Sequence, residues 1–197
     1  MTQKQLANRL INTISEEIVP LTRKGVSSGN KVFGAAILNK QDLSLVIAGT
    51  NNEQENPLWH GEVHTLKLFY EIPADKRPKT KDCIFLTTHE PCSLCLSAIT
   101  WAGFDNFYYL FAYAETAETF NIPHDLKILQ EVFGIVGGNY RRENSFWSSH
   151  SIAEMIETFG DEDRAVYKAR LANLAQQYNL LSDSYQNSKD ESDIPLA

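Results

Sequence analysis

Two short motifs contain residue types that bind metals and carry protons. The first is His60-Gly61-Glu62, and the second is Pro91-Cys92-Ser93-Leu94-Cys95. Either motif alone is weak evidence, since a Cys-x-x-Cys pair also occurs in redox sites, in structural zinc sites and as two buried thiols. Each motif stands at the start of a predicted helix with a predicted strand between them, and this order favours a shared metal site.

The expected chemistry is that of a zinc ion with an open coordination position. Cys92 and Cys95 are three residues apart on a helix, which places both sulfur atoms on one face of its first turn. The electropositive helix N-terminus favours the thiolate form that zinc requires. With His60 as the third ligand, a tetrahedral zinc ion keeps its fourth position for water, as catalytic zinc sites do.

Glu62 has a role in such a site that a zinc ligand cannot fill. It lies two residues from His60 and therefore beside the metal, where a carboxylate can carry protons. Zinc lowers the pKa of bound water to about 7. We expect Glu62 to move protons to and from this water when it attacks a substrate.

The spacing of apolar residues predicts an α/β sandwich around one sheet. An amphipathic first helix is expected to stop at Pro20, and residues 23–30 read as a loop. Strands are predicted at residues 32–38, 43–48, 83–87 and 107–113, and helices near 60–70, 92–101, 126–133 and 167–181. We expect residues 1–181 to form a single domain, followed by a polar, disordered tail at 182–197.

Charge and cysteine content disfavour a nucleic-acid-binding protein and a disulfide-stabilised protein. A formal net charge of -7 disfavours a protein that grips a phosphate backbone, and three cysteines are too few for a disulfide framework. The N-terminal residues enter an amphipathic pattern without the apolar block of a signal peptide, and no apolar run approaches the roughly 20 residues of a membrane span. The cytoplasm is therefore the expected location.

At His60, Glu62, Cys92 and Cys95 the chain resembles the cytidine-deaminase-like superfamily, whose signature is His-x-Glu followed by Pro-Cys-x-x-Cys. The resemblance runs from about residue 32 to residue 125. It implies a three-layer α-β-α sandwich around one mixed β-sheet, here with an added C-terminal helix. It also implies Zn²⁺ as cofactor, His60, Cys92 and Cys95 as its ligands, and Glu62 as the catalytic acid and base.

Finer features resemble the branch of guanine deaminases and tRNA adenosine deaminases. Residues 32–37 (Val-Phe-Gly-Ala-Ala-Ile) are similar to a strand of that branch, and residues 90–95 (Glu-Pro-Cys-Ser-Leu-Cys) are similar to a guanine-deaminase segment. The resemblance implies that Asn51 holds the substrate ring and that Asp125 helps to hold the base.

Two residues beside the predicted zinc histidine depart from that branch. Gly61 stands where alanine is usual, and Trp59 stands where a small residue is common. Both are candidates for substrate binding, but Trp59 either walls the pocket and stacks on a planar substrate or fills the core. Phe146 and Trp147 either cap an active site or anchor their own loop.

The leading hypothesis is a zinc-dependent hydrolytic deaminase of a free nucleobase or related amino-heterocycle, with a guanine-like purine preferred. One alternative is a deaminase of adenosine or cytidine in tRNA or another nucleic acid, which the acidic charge disfavours. A second alternative is a non-catalytic, zinc-stabilised domain, which has no need for Glu62. By analogy with the branch we expect a homodimer, without a nucleic-acid or membrane partner.

Overall fold

A five-stranded mixed sheet lies at the centre of the protein, seen in a computed structural model that describes residues 2–118, 123–189 and 194–196. The strand order is β2-β1-β3-β4-β5. Strand β1 is antiparallel to β2 and β3, whereas β3, β4 and β5 run parallel. The strands are β1 (Gly34–Asn39), β2 (Leu45–Thr50), β3 (Cys83–His89), β4 (Asn106–Phe111) and β5 (Ser148–Ser151).

Helices cover both faces of this sheet and bury a separate apolar cluster on each. One face carries α1 (Gln3–Thr13), α2 (Val19–Ser27), α7 (Ile152–Glu157) and α8 (Asp161–Ser188), and the other carries α3 (Gly61–Glu71) and α4 (Ser93–Ala102). Two more helices, α5 (Tyr113–Glu118) and α6 (His124–Phe133), follow β4. The predicted three-layer α-β-α sandwich with an added C-terminal helix is therefore confirmed.

The central strands are apolar on both sides because both sides are covered. In β1, Ala35 and Ile37 belong to the cluster under α3 and α4, and Ala36 and Leu38 belong to the opposite cluster. Successive side chains of a strand point to opposite faces. A continuous apolar run is the pattern expected of a strand buried in this way.

The first helical segment extends beyond the predicted stop at Pro20. A π-helical turn at Ile14–Ile18 interrupts the α-helical pattern, and the backbone stays helical from this turn into α2, which has Pro20 in its first turn. Proline cannot donate to an α-helical hydrogen-bond ladder, and the change of ladder at the π-helical turn lies directly before it. The predicted loop at residues 23–30 was thus wrong for 23–27, which are helical and in which Val26 continues the buried stripe of Val19 and Thr22.

The predicted disordered tail was wrong for the first residues of segment 182–197. Helix α8 continues to Ser188, and Ser182 and Tyr185 are buried on the same helix face as Tyr178. Polar residues on the outer face of α8 concealed this spacing. Residues 190–193 and 197 lie outside the described residues, whereas Ile194 is buried. No helix in the described part of the chain has the length and apolar character needed to cross a membrane.

Candidate metal centre and pocket

The turn before α3 and the turn before α4 bring the two sequence motifs together. His60 immediately precedes α3, Cys92 immediately precedes α4, and Cys95 lies in the first turn of α4. Because β1 and β3 are antiparallel neighbours, the start of β1 lies beside the end of β3, with Ala35 opposite Thr87. The loop that follows β3 therefore delivers both cysteines to the N-terminus of α3.

Three donor atoms meet at this point with the spacing that a tetrahedral zinc ion requires. The Sγ atom of Cys92 lies 3.4 Å from Nδ1 of His60, and the Sγ atom of Cys95 lies 3.8 Å from the same nitrogen. The two sulfur atoms are 3.5 Å apart. Zinc–sulfur bonds of about 2.3 Å and a zinc–nitrogen bond of about 2.0 Å at tetrahedral angles imply donor separations of roughly 3.5 to 3.8 Å. The donor set therefore fits zinc, and among the described residues it is the one such group of three or more.

The protonation states of these three groups depend on one another. Hydrogen bonds from Cys95 and His60 hold the pKa of Cys92 well below its usual range, although burial opposes the shift. Burial, and then the hydrogen bond and charge of Cys92, raise the pKa of Cys95. Burial lowers the pKa of His60, but the hydrogen bond and charge of Cys92 outweigh it and raise the pKa to about 9. Without metal the cluster therefore contains a thiolate beside an imidazolium.

Zinc binding is expected to release protons and to strengthen as the pH rises from about 6 to about 9. Below a raised pKa of about 9 the imidazole of His60 holds a proton that zinc must displace. Cys95 likewise keeps its proton at neutral pH because its pKa is raised. Calorimetric titration of the metal-free protein in buffers of different ionisation enthalpy measures the protons released. Affinity independent of pH over this interval would contradict the expectation.

The carboxylate of Glu62 lies beside the donor atoms without being one of the three. It is buried, its Oε2 atom is 3.3 Å from Sγ of Cys95, and its Oε1 atom accepts a hydrogen bond of 2.7 Å from the hydroxyl of Thr87. Burial, and then the charge of Cys92, raise the pKa of Glu62. Thr87 was not predicted. The available signal was its position in β3, where it shares the α3-facing side with Cys83 and Phe85.

Asn51 fixes the backbone next to His60. Its side-chain oxygen accepts a hydrogen bond of 2.5 Å from the backbone N–H of Gly61, and its side-chain nitrogen donates one of 2.7 Å to Glu53. The residue is almost fully buried and is not part of the cavity lining. These contacts give Asn51 a structural role at the start of α3, and its contact with substrate stays a prediction.

Gly61 is required by a close approach between α3 and β1. A β-carbon at this position would lie 2.8 Å from the Cα and N atoms of Gly34, which are backbone atoms that cannot move aside. Gly61 therefore supports the site through packing, and its predicted contact with substrate is untested. The same approach explains why alanine, usual in the resembling branch, is absent here.

Replacing Gly61 by alanine is expected to lower the free energy of unfolding by about 1 to 3 kcal/mol, because an added methyl group overpacks a full site. Urea unfolding of the metal-free protein checks this value without interference from zinc. A matched control is Gly160→Ala, since a β-carbon at Gly160 meets nothing within 4 Å. Equal stability of the two variants would contradict the expectation.

A cavity of about 300 Å³ opens beside His60 and Cys92. Besides His60 and Cys92, its walls combine apolar side chains with four polar ones, Lys31, Ser93, His124 and Asp125. Burial, and then the charge of Cys92, raise the pKa of Asp125 to about 8. The apolar members of the lining are Phe33, Pro57, Leu58, Leu94, Ile128, Pro195 and Leu196. Asp125 thus faces the predicted pocket, and its contact with a substrate stays a prediction.

Trp59 does not line this cavity. Its indole stacks on His64 with ring centroids 5.7 Å apart, and the ammonium of Lys67 lies 5.0 Å above it. The neighbouring Leu58 lines the cavity instead. Of the two readings of Trp59, packing agrees with these contacts. His64 is also structural, since its Nδ1 atom lies 2.7 Å from the backbone oxygen of Thr50.

The aromatic pair after β4 divides between core and surface. Trp147 is buried against Phe107 and donates a hydrogen bond of 2.7 Å to the hydroxyl of Thr100. Phe146 is 66% exposed. Trp147 therefore anchors the loop before β5, which was one of the two predicted roles for the pair.

Comparison with known proteins connects this geometry with one enzyme family. Residues 11–111 match the profile of the cytidine and deoxycytidylate deaminase zinc-binding region. A guanine deaminase from Bacillus subtilis is 31% identical over 109 residues, which cover 54% of this chain and 67% of that protein. A cytosine deaminase from Candida albicans is 34% identical over 86 residues, covering 42% of this chain and 53% of the relative. This chain thus spans about half the length of the latter.

A solved structure shares the fold at lower identity. A guanine deaminase from Nitrosomonas europaea superposes with a TM-score of 0.50 and 20% identity, covering 83% of this chain and 81% of that one. At this identity the likeness shows the arrangement of the sheet and its helices only.

Proposed function

This chain belongs to the family of proteins that contain the cytidine and deoxycytidylate deaminase zinc-binding region. We propose that it is a zinc-dependent hydrolytic deaminase of a free nucleobase or related amino-heterocycle. A guanine-like purine is the preferred substrate. The observation that carries the proposal is the meeting of one imidazole nitrogen and two sulfur atoms at 3.4 to 3.8 Å, with the buried carboxylate of Glu62 beside them. A purely structural zinc site has no use for that carboxylate.

The reaction replaces an exocyclic amine by oxygen, consuming water and releasing ammonia. Bound at His60, Cys92 and Cys95, Zn²⁺ supplies the Lewis acid that makes water nucleophilic near neutral pH. Glu62 accepts the first proton of that water and delivers it to the ring nitrogen; it then accepts the second proton, from the hydroxyl group now bonded to the ring carbon, and delivers it to the departing amine. The hydroxyl of Thr87 donates to Oε1 of Glu62 and holds the carboxylate in place between these transfers.

The cavity favours a single flat heterocycle as substrate. Its volume of about 300 Å³ is at the lower end of the roughly 300 to 1,000 Å³ typical of ligand pockets. Apolar side chains such as Phe33 and Leu58 suit the faces of a ring, and the oxygens of Asp125 can accept hydrogen bonds from ring N–H and amino groups. The match with a guanine deaminase is longer than that with a cytosine deaminase, 109 residues against 86, and this supports a purine before a pyrimidine.

Steady-state kinetics on a panel of aminopurines, aminopyrimidines and aminotriazines tests this preference. The expected result is turnover of guanine or a close analogue with the highest kcat/KM of the panel. Turnover of cytosine alone would change the preferred substrate from a purine to a pyrimidine and leave the proposed reaction unchanged. Tight, salt-sensitive binding of tRNA would favour the nucleic-acid alternative, which the net charge of -7 disfavours.

A homodimer is proposed on the basis of exposed apolar side chains near the metal helix. Trp101, at the end of α4, is 91% exposed, and Val132 and Phe133 on α6 are also exposed. An aromatic side chain left in water is a common member of a protein interface. Sedimentation analysis of the parent chain is expected to give twice the mass of one chain. The Trp101→Glu variant is expected to sediment with a lower mass.

The cytoplasm is proposed as the location because free thiols persist as metal ligands in a reducing compartment.

A further inference from the structure

A buried ion pair lies in the wall between the cavity and the loop that carries His60. The ammonium of Lys31 is 3.0 Å from Oε1 of Glu53, and the two side chains are 8% and 1% exposed. The backbone N–H of Lys31 donates a second hydrogen bond, of 3.2 Å, to Oε2 of Glu53. Lys31 also lines the cavity. The pair therefore joins the segment before β1 to the segment after β2 at the edge of the pocket.

Glu53 lies near the imidazole ring of His60 and is also hydrogen-bonded to Asn51, which holds the backbone next to His60. Its Oε1 atom is 3.9 Å from Nε2 of His60, the ring nitrogen that faces away from the sulfur atoms. Its Oε2 atom accepts the hydrogen bond of Asn51, whose other end holds the backbone of Gly61. One carboxylate thus faces the imidazole ring and, through Asn51, fixes the residue that follows it.

Stability alone is a poor explanation for such a pair. Removing two charges from water costs several kcal/mol per ion, so a buried pair often contributes no more than apolar residues of the same volume. A metal-binding histidine, in contrast, commonly presents its second ring nitrogen to a carboxylate that fixes its orientation and proton position. Oε1 of Glu53 faces Nε2 of His60 at 3.9 Å, which is an ion-pair distance and longer than a hydrogen bond, so it acts on this side of the ring through electrostatic attraction.

We propose that Glu53 is a positioning residue for zinc, which holds the imidazole of His60 so that Nδ1 faces Cys92 and Cys95, and that Lys31 holds the Glu53 carboxylate in place. The carboxylate of Glu53 faces the Nε2 side of the ring, and the opposite nitrogen, Nδ1, is thereby kept turned toward the two sulfur atoms. Lys31 fixes the carboxylate from the cavity side, and Asn51 extends the same network to α3. Neither residue touches the metal in this arrangement.

Zinc affinity tests the proposal independently of any substrate. Three variants are compared with the parent chain: Glu53→Gln, the double variant Glu53→Gln with Lys31→Met, and Glu55→Gln. Glutamine keeps the size of Glu53 and can still accept from Asn51, but it lacks the charge. Glu55 is a matched control because it is an exposed glutamate of the same loop that accepts from Asn52. Competition with a chromogenic chelator gives the zinc dissociation constant, and thermal unfolding of the metal-free protein gives stability.

The expected result for Glu53→Gln is a zinc affinity about 10- to 100-fold weaker than that of the parent, the usual loss when an outer partner of a metal ligand is changed. This variant also leaves Lys31 buried without its partner, and it is expected to unfold at a lower temperature. The double variant removes both charges, so it regains stability while its zinc affinity stays weak. Glu55→Gln behaves as the parent.

Two outcomes would overturn the proposal. Zinc affinity of Glu53→Gln within about threefold of the parent would show that the carboxylate does not support His60. Recovery of both stability and affinity in the double variant would make the pair structural only, and this variant decides the matter if Glu53→Gln alone does not fold. If Glu53→Gln binds zinc more weakly but the parent chain deaminates no heterocycle, this inference stands and the proposed function, on which it otherwise rests, is contradicted.

Discussion

Replacing Glu62 by alanine is expected to lower kcat by about 100- to 10,000-fold while the protein keeps its zinc. This range is the usual contribution of a positioned acid or base. The carboxylate lies 3.3 Å from Sγ of Cys95 and accepts from Thr87, but it is not one of the three donor atoms that fit the metal. Its loss should therefore remove the proton carrier and preserve the zinc site. Steady-state rates and metal analysis of the same preparation measure both effects.

A control for this variant is Glu71→Ala at the far end of the same helix. Glu71 is exposed and pairs only with Lys67 among the described contacts, so its loss should change neither rate nor zinc content. Activity of the Glu62 variant within a few-fold of the parent would show that another group carries the protons. Loss of zinc from that variant would show that Glu62 contributes to metal binding.

Replacing Cys92 by alanine is expected to remove zinc and activity together. The Cys92 sulfur is 3.4 Å from Nδ1 of His60 and 3.5 Å from Sγ of Cys95, which are the two shorter of the three separations among the donor atoms. Loss of a direct ligand should weaken zinc binding by more than the roughly 10- to 100-fold typical of outer partners. Metal analysis after dialysis against a chelator should give about one zinc per chain for the parent and close to none for the variant.

Cys83 is the matched control for Cys92→Ala. It is also buried, but it packs in the apolar cluster under α3 and α4. Cys83→Ala should therefore retain zinc and lose only some stability. Retention of zinc by the Cys92 variant, or its loss from the Cys83 variant, would mean that the metal binds elsewhere.

Local patterns predicted the fold and the zinc donors because those features depend on near neighbours in sequence. Cys92 and Cys95 lie in the first turn of one helix, and the buried strands are continuous apolar runs. Strand β5 was missed because it consists of serine and histidine, which resemble a loop. It is a strand because its backbone pairs with the edge of β4.

The supporting contacts of the site depend on pairings between distant residues and left no local pattern. Lys31 meets Glu53 across 22 positions, and Thr87 meets Glu62 across 25. Lys31, Glu53 and Thr87 each look like an ordinary loop or strand residue by themselves. Of the two roles predicted for Trp59, pocket wall or packing, the contacts agree with packing: the turn before α3 directs the indole onto His64, and Leu58 lines the cavity next to His60.

Ammonia release by the zinc-loaded protein, measured over the panel of amino-heterocycles beside Glu62→Ala at equal zinc content, is the most direct test of the central claim. The account predicts that at least one heterocycle, guanine or a close analogue first, yields one ammonia per ring and that the variant loses this activity. Absence of turnover across the panel, or equal turnover by the parent and the variant, would contradict a deaminase that relies on Glu62.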